Sequence, residues 1–324
     1  MGVSRLNRAE RLLQPRFSLS RLIRPLLLLC GSLLLAGDSS WDRPDRTPRP
    51  ERSVAVRYIP LPLPPASDGK LTLTGLWRLE MTDPRLGGVS GLAVNGARLL
   101  AVTDSGSVLD LPRPGQGTMA IVRDLPDGPG SRFWKKYRDS ESIARDPLGR
   151  GWWVGFEFQH SLYLYDLEFR RALRRIGFAE DRWPPNKSLE AIVPAGPGLL
   201  VIPETGREVL QIEEGRIATQ ALVGATGAPA DAVRLPDGRV MVLLRSVRPW
   251  GLRNELAELV RSGAGYRLRP LGQLPLGPLD NAEGISVEQR PDGQVRLWVV
   301  TDNDFSGRRP TLLMAVDLPF AAQD

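Results

Sequence analysis

The chain has 324 residues, a formal net charge of +6 and a charged content of 25%. Six arginines and one glutamate fall within the first 37 residues, so that segment carries +5 and the remainder is nearly neutral at +1, which argues against nucleic acid or an acidic membrane as a partner of the folded body. Single copies of cysteine and histidine, Cys30 and His160, exclude a disulfide framework, zinc-thiolate and iron-sulfur centres, a cysteine nucleophile in the folded part, and any metal site needing two imidazoles.

In chain order, a basic stretch up to Arg24 precedes an apolar run from Pro25 to Ala36. That pairing reads as an export signal over residues 1–37, cleaved or kept as an N-terminal anchor, and predicts a periplasmic or extracellular protein. The run is shorter than the roughly 20 residues of a membrane span. Leu28-Leu-Cys-Gly31 imitates a lipoprotein box but lacks the small residue before the cysteine. Residues 38–69 carry seven prolines among charged side chains and read as a disordered linker.

The folded domain is expected over residues 70–324, a length suited to one large domain. Within it, a short strand, a turn, a denser apolar strand and a polar stop recur five times. The first strands start at Ser90, Glu141, Glu190, Asp231 and Glu283, spaced by 51, 49, 41 and 52 residues. Their partners end at Asp104, Glu157, Glu204, Arg245 and Asp302, and turn formers such as Asn95-Gly96 and Pro236-Asp-Gly238 lie between. A period of 40 to 50 residues with several strands per unit predicts an all-β fold, a β-propeller, with six blades preferred and five as the fallback. Leu71–Leu79 is expected to close the ring against C-terminal strands, removing an exposed edge. Asn254–Arg261 is the best helix candidate and reads equally well as a strand.

Several of these copies resemble a known family. Ser90-Gly-Leu with Ala101-Val-Thr-Asp-Ser-Gly106, Asp139-Ser-Glu-Ser-Ile143 with Gly155-Phe-Glu-Phe-Gln-His160, Asp231-Ala-Val, and Asn281-Ala-Glu-Gly-Ile285 with Thr301-Asp-Asn-Asp-Phe-Ser306 are similar to the phytase-like propeller family with esterase-like activity, over roughly residues 75–320. The resemblance implies an exported hydrolase of esters or phosphoesters, with calcium as a ligand. Arg245 departs from the otherwise acidic pattern of stops.

The repeat also makes a site. In an antiparallel hairpin, the start of one strand and the end of its partner share an edge. Asp104, Glu141, Glu157, Glu190, Glu204, Asp231, Glu283 and Asp302 are therefore expected around one channel mouth, with Arg245 among them. Crowded carboxylates raise one another's pKa unless a hard cation, a basic partner or a shared proton intervenes. An oxygen-only donor set selects Ca²⁺ or Mg²⁺. Asp104, Glu190, Asp231, Glu283 and Asp302 are the expected metal ligands. Arg245 and Lys187 are expected to hold an anionic group of the substrate. His160, oriented by Glu157 and joined by Glu141, is the candidate acid-base set.

A serine hydrolase is disfavoured, because any triad must use His160 and no Gly-x-Ser-x-Gly elbow exists. Asp302-Asn-Asp304-Phe-Ser306-Gly307 opens like an EF-hand loop, but Leu313 stands where the bidentate Glu belongs. Trp152-Trp153 reads as core, and Phe133-Trp-Lys-Lys-Tyr-Arg138 as a loop that could grip a substrate. Two functions are expected to compete: a monomeric hydrolase of a small-molecule ester, phosphoester or lactone, and a non-catalytic propeller whose mouth grips a ligand or protein.

Overall fold

The computed structural model describes residues 45–64, 71–187, 189–305 and 309–318. The expected leader, with Cys30, lies outside the described residues. Strands β1 (Arg52–Pro60) and β2 (Thr72–Met81) precede a four-stranded meander of β3 (Val89–Asn95), β4 (Arg98–Thr103), β5 (Ser107–Pro112) and β6 (Met119–Asp124). Three further meanders follow: β7 (Ser140–Arg145), β8 (Trp152–Phe156), β9 (Ser161–Tyr165) and β10 (Ala172–Gly177); β11 (Ala191–Ala195), β12 (Gly198–Ile202), β13 (Glu208–Glu213) and β14 (Arg216–Val223); β15 (Ala228–Arg234), β16 (Val240–Arg248), β17 (Gly251–Ser262) and β18 (Gly265–Gln273). The last meander, β19 (Asn281–Gln289), β20 (Val295–Asp302) and β21 (Thr311–Leu318), takes β2 as its fourth strand.

The innermost strands β3, β7, β11, β15 and β19 each pack on the next, and β19 returns to β3. Five apolar cores alternate with the sheets, one between each neighbouring pair. Leu92 and Ala101 meet Trp298 and Val300 across the closing boundary, for example, and Ala144 and Trp153 meet Ile192 and Val201 across another. The described strands thus make a propeller of five blades, the fallback count and not the preferred six. The length allotted to a sixth blade goes into long strands, notably the 12 residues of β17. That strand absorbs the helix candidate Asn254–Arg261, whose Leu256 and Ala257 are buried against the neighbouring sheets.

The second strand of each blade is buried on both faces, as its unbroken apolar run requires. Trp152 and Trp153 are both 2% exposed, so both rings are core. Trp153 also donates its indole N–H to Asp146 at 2.9 Å.

Closure differs from the expected single strap. Leu71–Leu79 pairs with β21 as anticipated, and β1 adds a second strap, pairing β2 on one side and β6 on the other. The linker expected over residues 38–69 therefore contains a strand. In Ser53-Val-Ala-Val-Arg-Tyr58 the apolar side chains alternate, with Val56 buried at 1% while Arg57 faces outward. The prolines obscure this period-2 signal because they sit at or beyond the strand ends, where no ladder bond is lost.

Candidate active site at the acidic channel mouth

Strand register explains how the mouth is built. Gly91, Ser142, Ala191, Asp231 and Gly284 pair with Val102, Gly155, Ile202, Leu243 and Val300. Two residues beyond those partners lie Asp104, Glu157, Glu204, Arg245 and Asp302, the five expected second-strand stops in equivalent places. On the first strands, β3, β7, β15 and β19 each carry a bulge, and the extra residue is Ser90, Glu141, Ala230 or Glu283. A bulge turns its extra side chain away from the ladder. It thereby aims Glu141 and Glu283 at the mouth, while Glu190 occupies the equivalent position immediately before β11.

Asp231 is one residue out of that series. The bulge in its strand falls on Ala230, which places Asp231 in the layer occupied elsewhere by Gly91, Ser142, Ala191 and Gly284. There it is 1% exposed and accepts N–H bonds from Ala232 at 2.7 Å and Ile285 at 2.8 Å, and from Leu92 as well. It thus joins three inner strands as an internal staple, a correction to its expected place among the metal ligands. The layer is narrow: a Cβ on Gly284 would lie 3.0 Å from backbone of Gly91.

The other seven carboxylates form a continuous arc. Asp302 and Asp104 act on each other electrostatically, and Asp104 accepts a hydrogen bond from Lys135 at 2.9 Å. Next come Asp139 and Glu141, which are hydrogen-bonded together. One ligand oxygen from each of Asp139, Glu141 and Glu157 lies within 4.8 Å of the others, and the same holds for Glu157, Glu190 and Glu204. Glu157 belongs to both triplets. Beyond Glu204 stands Arg245, 3.5 Å away, which is also ion-paired to Glu283 and donates to Asn281 at 2.9 Å. Lys187 reaches Glu204 at 3.1 Å, so both expected anion-binding cations are on the site and already neutralise a carboxylate.

The electrostatics follow from crowding and burial. Burial pushes the Asp139 carboxyl up to about 7, with Asp104 and Glu157 adding to the rise and Lys135 opposing it. Burial likewise holds Glu141 well above the usual range, helped by Asp139, to which it donates its proton. Glu190 is raised by burial and then by Glu141, Glu157 and Glu204. Asp302 rises to about 7 through burial and its contact with Asp304. Lys135 remains charged although burial opposes it, because Asp139 and Asp104 flank it.

A hard cation fits the two oxygen triplets, which offer only oxygen ligands and an excess of negative charge; among the described residues the triplets include Glu190 but not the other expected ligands Asp104, Glu283 and Asp302.

His160 is placed elsewhere. It is 1% exposed, packs edge-on against Trp183 at 5.4 Å between ring centroids, and its Nε2 lies 3.2 Å from the Trp183 carbonyl oxygen. Burial lowers its pKa, and the groups that partly offset this are Trp183 and Glu180. Its Nε2 faces the Trp183 carbonyl and, among the described residues, its buried Nδ1 has no hydrogen-bond partner, so no carboxylate orients the ring as was expected of Glu157.

Lys135, Asp139 and Asn281 also belong to the site, although none was among the expected catalytic, metal-binding or anion-binding residues. Asp139 carried a sequence signal, being a second carboxylate two residues before Glu141. Lys135 comes from a 3₁₀ turn over Lys135–Tyr137 in an interblade loop, where no repeat position points to it. In the described part of the EF-hand-like segment, up to Phe305, Asp302 Oδ1 accepts from the Asp304 N–H at 2.9 Å.

Glutaminyl cyclase from Myxococcus xanthus matches with a TM-score of 0.50 and 11% identity, over 77% of this chain and 97% of that one. The β-propeller domain of Cps50 (Swd1) from Myceliophteria thermophila matches with a TM-score of 0.40 and 11% identity, over 77% of this chain and 100% of that one. At such identity the cyclase likeness concerns the fold alone. No curated protein matches the sequence. The profile of the phytase-like family, described as the esterase-like activity of phytase, covers residues 84–305 and with them every carboxylate of the arc. The chain belongs to that family.

Proposed function

We propose that the protein is an exported hydrolase of ester or phosphoester bonds, acting at the acidic mouth with a divalent cation, Ca²⁺ by preference. The observation that carries this reading is Glu157, one carboxylate common to two adjacent oxygen triplets beside a proton-sharing acid pair. Family membership supports the reaction class, and the basic, apolar leader supports export.

Glu157, Glu190 and Glu204 would hold the cation, leaving Asp139 and Glu141 beside it. When bound, it would polarise the scissile carbonyl or phosphoryl oxygen and acidify water. The chain's own groups do the rest. Asp139, titrating near neutrality, is poised to take the proton released as a water oxygen bonds to the carbonyl carbon or phosphorus. Glu141, carrying the shared proton, delivers one to the leaving oxygen as its bond breaks, so the reaction consumes one water and no net proton. Lys135, Lys187 and Arg245 hold anionic oxygens of the substrate through charge-assisted hydrogen bonds. His160 is left with a structural part, against its expected role as acid or base.

The test combines metal analysis of the purified chain with an ester and phosphoester panel, with and without EDTA. Glu157→Gln is expected to remove cation-dependent thermal stabilisation and to lower turnover by at least about a hundredfold, the scale on which positioned acid-base groups act. No turnover on the panel and no bound cation would leave the ligand-gripping propeller as the better account.

A further inference from the structure

A groove of about 620 Å³ leads away from the arc over the fourth blade. One end holds Lys187, Arg245 and Arg309, which are ion-paired to Glu204, to Glu204 and Glu283, and to Asp304 respectively, so an anionic ligand there would compete with these carboxylates. The other end is apolar. Val247 on the β16–β17 hairpin is 81% exposed, and Leu279 in the loop before β19 is 59% exposed. The two walls are fixed to each other: the Leu252 N–H donates to the Pro278 carbonyl at 2.7 Å, and a Cβ on Gly251 would lie 2.3 Å from that oxygen. Isolated exposed aliphatic residues need no explanation. Two of them across a preformed groove, with cations at its inner end, have the make-up of a ligand site.

We infer that this groove binds an anionic amphiphile, with a phosphate or carboxylate at Arg245 and Lys187 and an alkyl or acyl chain lying between Val247 and Leu279. The reaction assigned to such a molecule rests on the hydrolase reading; its binding does not. The favoured substrate class is thus an ester or phosphoester with one apolar arm, rather than a compact polyanion. A methylene removed from water contributes about 0.8 kcal/mol, close to fourfold in affinity when fully buried. In an open groove about twofold per methylene is expected.

The experiment measures binding of methyl-, butyl-, hexyl- and octylphosphonate, which cannot be hydrolysed at the carbon-phosphorus bond, and turnover of the matching alkyl phosphate esters, on the full chain with its cation. Octylphosphonate is expected to bind at least about thirtyfold tighter than methylphosphonate. Val247→Asp and Leu279→Asp, each checked by thermal melting, are expected to collapse that ratio to within about threefold. Both side chains are exposed, so the core is left intact. Flat affinity across the series in the wild-type protein overturns the inference, whether or not the esters are turned over. Chain-dependent binding without turnover of any ester upholds the inference and overturns the hydrolase reading instead.

Discussion

Replacing Asp231 by alanine tests the internal staple without touching the arc. The change removes an acceptor for the N–H groups of Ala232, Ile285 and Leu92, which lie on β15, β19 and β3. Each buried donor left unpaired costs about 1–3 kcal/mol. Some relaxation, or entry of a water into the space left by the carboxylate, offsets part of this, so a loss of about 3–5 kcal/mol is expected. For a domain of this size 1 kcal/mol moves the melting point by about 2–4 °C, placing the fall near about 10 °C. Asp231→Asn keeps one acceptor but turns an amide donor toward N–H groups, and should recover less than half of the loss. Melting followed by circular dichroism, in the presence of chelator, reads the staple free of any cation effect. An Asp231→Ala protein within about 1 kcal/mol of wild type would refute the assignment, and with it the one-residue offset that takes this carboxylate out of the arc.

Stability of the cation-free protein should fall as pH rises from 5 to 8. Asp139 and Asp302 keep their protons up to about 7 when folded, whereas the unfolded chain releases them near 3.8, so the stabilisation is complete below about 4 and lost through about 7. Each group contributes a slope of at most about 1.4 kcal/mol per pH unit, reduced by solvent at the mouth, and melting points that stay level over this range would count against the crowded-acid account. Adding Ca²⁺ at pH 8 should restore more melting temperature than at pH 5, since protons compete with the ion there. His160→Gln should lower stability by about 1–3 kcal/mol through its Trp183 packing yet leave the pH profile of turnover unmoved; a lost limb of that profile would return His160 to the reaction. Val56→Asp should destabilise or aggregate the protein by releasing β1 from the strands it joins, which size-exclusion chromatography and melting report together.

The pattern of stops at Asp104, Glu157, Glu204, Arg245 and Asp302 was legible because a buried strand ends where its apolar run ends, and hairpin geometry carries that end to a predictable edge. Asp231 was not, since a bulge inserts a residue that composition does not reveal, and Asp-Ala-Val looks like Glu-Ala-Ile until the register is known. Lys135 was legible only as one member of the basic and aromatic loop Phe133–Arg138, because interblade loops follow no period. Blade number was harder to read, because β16 to β18 are long and the fourth strand beside β21, β2, comes from the far end of the chain. The strand at Arg52–Pro60 was hidden by flanking prolines that end it without interrupting it.

The double strap at the ring's seam sets the order in which the molecule can be completed. Thr74 Oγ1 donates to the carbonyl of Ala315, 241 positions later, so β2, already joined to β6 through β1, has its other edge unpaired until the last strand arrives. Until then that edge stands open to other nascent copies, and closure is governed by a long-range search of the kind that slows folding. Chaperone demand during synthesis should therefore centre on β1 and β2, although they lie far from the chemistry.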